Sequence, residues 1–130
     1  MISLILVILA GILNAAMDII VSAIRYNKSV FMMLPKKWET FFDSTVSWKN
    51  KWKNGDPNQG EKFFGSSTFL VWTTDAWHLA KTTMLFLLSM AITFYTPLVN
   101  KNIDIFIYWI VFGFTFEMFF SKFFMKKNKV

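Results

Sequence analysis

The chain contains no cysteine. A disulfide framework, a thiolate zinc site and a thiol nucleophile are all excluded. Histidine occurs once, at His78. No His-x-x-x-His pair exists, and a metal site would need that one imidazole with carboxylates, so no metal site is expected. Arginine also occurs once, at Arg25, against thirteen lysines. The planar fork that reads phosphates and base edges is nearly missing, so the net charge of +6 does not imply nucleic acid as a partner. Asp56-Pro-Asn-Gln-Gly60 lacks the Gly-x-x-x-x-Gly-Lys-Ser/Thr pattern of a phosphate loop, and no cofactor is implied. No nucleophile elbow is visible for a Ser–His–Asp site.

Apolar residues are abundant: 55% of 130 residues are hydrophobic, and sixteen are Phe. A soluble domain of this size has too little interior to hide that surface. The charges fall between and after the apolar runs, as in an integral membrane protein. The expected fold is all-α, a single membrane domain over residues 1–130. Three transmembrane helices are expected at about 2–24, 69–97 and 103–125, with an amphipathic interfacial helix in the 26–68 loop.

Ile2 to Ile24 does not read as a secretory signal, because no base precedes its core and the core is too long. At about 100° per residue, Ser3, Gly11, Asn14, Asp18, Ser22 and Arg25 share one face. That face reads as a packing seam on which Gly11 allows close approach, with Asp18 near mid-span. In the loop, Pro35 suits the first turn of a helix, and Trp38, Phe41, Phe42, Thr45, Trp48 and Trp52 share a face among lysines. Gly55 is a natural stop and Asp56–Gly60 a turn. The expected partners of this element are the lipid bilayer and anionic lipid headgroups.

The second span is expected to start after a Ser66-Ser67-Thr68 cap and to end at Pro97. Within it Asp75, His78, Thr82, Ser89, Thr93 and Thr96 form a polar stripe, and Lys81 serves a neighbouring seam. Asn102 is a plausible cap for the third span, Asp104 suits its positive end, and Glu117 is its deep charge, beside Gly113 and Ser121. Eight of the fourteen bases lie in residues 25–62 and four in the tail. The loop and C-terminus are then cytoplasmic, with the N-terminus outside.

Counted from mid-span, Asp18, Lys81 and Glu117 fall roughly 6–9 Å towards the cytoplasm on three different helices. With Asn14, Arg25, Asp75 and His78 they form a candidate intramembrane polar cluster, in which Lys81 is expected to pair with Asp18 or Glu117. No catalytic residue is assigned.

Three spans, an outside N-terminus and a basic cytoplasmic tail resemble the layout of one class of phage holins, which oligomerise and permeabilise the inner membrane. The 43-residue loop 26–68 departs from that layout. Three functions are compatible with the residues. The first is a membrane subunit or adaptor that assembles with itself or a membrane-protein partner through polar helix faces. The second is an oligomeric pore lined by the Asp75–Thr96 stripe. The third is a lipid-directed enzyme using Asp18, Asp75, His78 and Glu117.

Overall fold

From Ile2 to Ser22 there is no proline and one glycine, so nothing interrupts the backbone ladder, and the run forms helix α1 (Ile2–Ser22). The computed structural model describes residues 1–22 and 29–125, so the expected end of this run at Ile24 lies outside the described residues. The architecture is all-α, with a one-turn helix α2 (Glu39–Phe42) and two longer helices, α3 (Ala76–Thr93) and α4 (Lys101–Met118). A π-helical stretch, Phe119–Phe124, continues α4 without a break.

Helix α1 is the hub. It packs against both α3 and α4, which scarcely touch each other. Its contribution to the core is Val7, Ala10, Ala15, Met17, Ile19 and Ile20, met by Ala76, Ala80 and Ala91 of α3. Small side chains at a helix seam let the backbones approach and gain dispersion contacts. At the α1–α4 crossing the approach is closest at Gly11: a Cβ there would lie 3.0 Å from the Phe112 carbonyl oxygen and 3.1 Å from Thr115 Cβ. The expected role of Gly11 as a close-approach residue is met.

The outward faces also carry large apolar side chains. Ile2, Ile5 and Leu9 on α1, Leu85, Phe86 and Ile92 on α3, and Ile105, Phe106, Trp109, Ile110 and Phe114 on α4 are all exposed. Among the described residues two helices, α1 and the 24-residue run Lys101–Phe124, are long and apolar enough to cross a membrane; α3, expected as the second of three spans, is not one of them.

Helix α3 starts later than expected. Ser66 and Ser67 do not cap it, because their hydroxyls are already engaged: Ser66 donates to the Lys51 carbonyl at 2.8 Å and Ser67 to the Glu61 carboxylate. The next residues form turns, with Thr73 and Thr74 hydroxyls donating to the carbonyls of Leu70 and Val71. Asp75, in extended conformation, is the cap that works, accepting from the His78 N–H at 2.9 Å. The helix ends at Thr93, short of Pro97. The cap of α4 is Asn100 rather than Asn102, its side chain accepting from the N–H groups of Asn102 and Ile103.

The continuous amphipathic helix expected from Pro35 is absent. Residues 29–75 instead fold as a chain of 3-10 turns around α2. Asp43 ends α2 by turning extended and accepting from the Thr45 N–H and hydroxyl, an alternative to the next helical hydrogen bond. A left-handed Asn54–Gly55 pair then reverses the chain, and Lys53 and Lys62 donate to Gly60 and Lys51 across the closing loop. Asp56 caps the turn at Pro57–Gln59, as its position before proline suggests. This segment covers the end of the bundle where α1 stops and α3 begins. There Ser44 donates to the Ile20 carbonyl, and Asn50 donates to the carbonyls of both Thr40 and Thr74.

Candidate functional site

The Asp75–Lys81 stretch keeps its acid, histidine and base together through local geometry. Asp75 is buried at the first turn of α3. One carboxylate oxygen caps the helix and the other hydrogen-bonds His78 Nδ1 at 2.6 Å. The imidazole lies edge-on to Trp77, with ring centres 5.0 Å apart, and half of it faces outward. Lys81 Nζ sits 4.8 Å from the centre of the Trp77 indole on the next turn. Capping, pairing and stacking thus follow one another from the buried Asp75 outward to the exposed Lys81. The carboxylate orients the ring and leaves Nε2 on the outer side.

The remaining members of the expected polar cluster do not join this group. Asp18 and Glu117 are exposed, Asn14 is half-buried, and Lys81 is exposed. Among the described residues the only ion-pair contact is Asp75–His78, so the expected pairing of Lys81 with Asp18 or Glu117 within one chain is not made. The cause is helix rotation. The seam of α3 against α1 is the Ala76–Ala80–Ala91 row, and Lys81 lies about 100° round the helix from it. Glu117 lies on the back of α4, away from the buried Asp104 and Thr115. Arg25 lies outside the described residues. The described residues hold no group of three or more His, Asp or Glu side chains placed to share a metal ion.

The stripe of α3 also faces outward. Thr82, Ser89 and Thr93 are exposed, and the last two donate back to the carbonyls of Leu85 and Ser89 one turn earlier. The aromatic face expected of residues 38–52 splits in two. Trp38, Phe41 and Phe42 join Phe31, which stacks on Phe42 at 5.0 Å and meets Phe124 at 5.5 Å. Trp48 is exposed, Trp52 half-buried, and each carries the ammonium of a neighbouring lysine, Lys49 or Lys51, 5.5 Å from its ring centre.

A second polar knot, at the far end of the bundle, went unforeseen. Asp104 is 1% exposed. Its carboxylate accepts from the Tyr95 hydroxyl and the Leu98 N–H, both at 2.8 Å, and from the Val99 N–H at 3.0 Å. Ser3 and Tyr108 share a 2.6 Å hydrogen bond beside it. Together they tie α1, the α3–α4 turn and α4. Read alone, Asp104 near a helix start suggested only a favourable dipole; the usable signal was a tyrosine and an acid flanking the Pro97 turn. An open, mostly apolar groove of about 520 Å³ lies alongside, lined by Val7, Leu88, Ile92 and Ile105 among others.

The chain matches no known protein family, and neither characterised proteins nor solved structures match it.

Proposed function

We propose that this protein is a small membrane subunit or adaptor with three spans, α1, α3 and α4, that assembles through the polar groups on the outer faces of its helices. One observation carries the reading: Asp18, Lys81 and Glu117 are exposed on helices that also expose large apolar side chains, among them Leu9 and Val21 on α1, Leu85 and Phe86 on α3, and Ile110 and Phe114 on α4. In lipid such charges are costly unless they meet a partner or water, and an assembled neighbour supplies one. The spread of bases supports a cytoplasmic loop and C-terminus and an outside N-terminus. The exposed Trp38 and Trp48 among lysines suit the 29–75 segment to anionic headgroups, now as a folded cap rather than a lying helix.

A pore is the second reading, and the outward-facing Thr82, Ser89 and Thr93 favour it, since an oligomer could turn that stripe to a common axis. A lipid-directed enzyme has less support, because Asp18 and Glu117 make no ion pair with His78. Light scattering in mild detergent tests the assembly reading. An oligomer or a co-purifying membrane protein is expected, and a lone monomer overturns it. Ion flux across vesicles containing the oligomer separates pore from adaptor.

A further inference from the structure

Lys81 and Glu117 stand at the same end of the bundle. Lys81 is about 8 Å along α3 from its start, and Glu117 about 11 Å from the end of the Lys101–Phe124 run. Both ends adjoin the 29–75 cap, α3 through the Asn50–Thr74 hydrogen bond and α4 through the Phe31–Phe124 contact. The two side chains are thus of opposite charge and similar depth. They lie on different outer faces of one copy: Lys81 on the flank of α3 that carries Leu85 and Ile92, Glu117 on the back of α4 with Ile110 and Gly113. At Gly113 that back is open, since a Cβ there would meet nothing within 4 Å.

We infer that a second copy of this chain docks on the back of α4, bringing its Lys81 against Glu117. The inference rests on the assembly reading above and names its partner and contact. Charge complementarity carries it: the α4 back presents an acid inside an apolar surface, and α3 presents a base inside another at matching depth. A lysine on a flexible stem can leave the Trp77 face to reach a carboxylate. Asp18 is the weaker acceptor for a second copy, because it belongs to α1, which α3 and α4 flank on both sides.

The test is a charge exchange between copies, read as the oligomeric fraction in mild detergent. K81E and E117K, each alone, are expected to weaken association by on the order of tenfold or more, because each sets like charges together. Mixing K81E chains with E117K chains is expected to restore an oligomer containing both, which pairing within one chain could not do. Helical content by circular dichroism confirms that each variant folds. A wild-type monomer overturns the assembly reading and this inference together. An oligomer that survives both single reversals overturns the Lys81–Glu117 contact and leaves assembly standing. Failure of the mixture to recover overturns the contact as well.

Discussion

Helix α1 and the segment from residue 29 to 75 satisfy their backbones in different ways. In α1 each carbonyl is met by an N–H four residues on, and side chains are left free to fill space. In 29–75 the turns are short, and much of the work falls to side chains: Ser29, Asp43, Asp56 and Glu61 each accept from backbone N–H groups, while Asn50 and Ser66 donate to carbonyls. A helix of the first kind should respond chiefly to volume, a segment of the second chiefly to the loss of single polar atoms.

Asp104 tests where that boundary lies, for it uses the polar mode inside the helical bundle. Asp104→Ala strands a tyrosine hydroxyl and two backbone N–H groups at once. It should lower the thermal midpoint in detergent more than valine at Gly11 or Gly60 does, with Asp104→Asn intermediate because it keeps one acceptor. A midpoint unmoved by alanine would mean that water replaces the carboxylate and that the knot does not hold the turn.

Gly11→Val probes the volume mode. Its added atoms would enter a space already closed by the Phe112 carbonyl and Thr115. Overpacking of this kind costs about 1–3 kcal/mol. Gly60→Val, also glycine to valine but at an open site with φ of +81°, separates steric crowding from backbone strain. If the two cost the same in denaturation, the α1–α4 crossing is not close-packed in solution.

The smallest effect is a pH response confined to the 29–75 segment. The Ser67 hydroxyl, then the Gly65 and Ser67 N–H groups, hold the Glu61 carboxyl below the usual carboxylate range. A depressed folded value means that this contribution is fully present above the unfolded pKa and is lost as pH falls through the folded one. Amide exchange at Gly65 and Ser67, corrected for intrinsic rate, should therefore rise only as pH falls below the usual carboxylate range. Glu61→Gln should remove the pH dependence; exchange that rises equally in both proteins would assign it to another group.

Much of the helical architecture was legible in advance. The apolar run after Met1, the close approach at Gly11 and the Asp56–Pro57 turn all follow from residues adjacent in sequence. The caps did not. Ser66, Ser67 and Asp75 are all good cap residues, as are Asn100 and Asn102. Asp75 wins because Ser66 and Ser67 are held by Lys51 and Glu61, partners 15 and 6 residues away. The 35–54 periodicity misled for the same reason. Its Phe41 and Phe42 are drawn to Phe31, itself packed against Phe124, and Asn50 to Thr40 and Thr74, so packing at the bundle's end outweighed the helical pattern.

Where the chain is helical, and where it is apolar enough to resist water, could be read from residue types, because both depend on neighbours within a turn or two. Which polar groups meet could not. Large apolar side chains lie on more than one face of both α3 and α4, so hydropathy leaves their rotation about the axis undetermined, and a residue's neighbours change with every 100° step. Packing against α1 chose the alanine row of α3 and the Asp104–Thr115 row of α4 as the inner faces. That choice buried Asp104 with Tyr95 and turned Lys81 and Glu117 outward, because small residues and self-satisfied polar knots fit a close seam and long charged side chains do not.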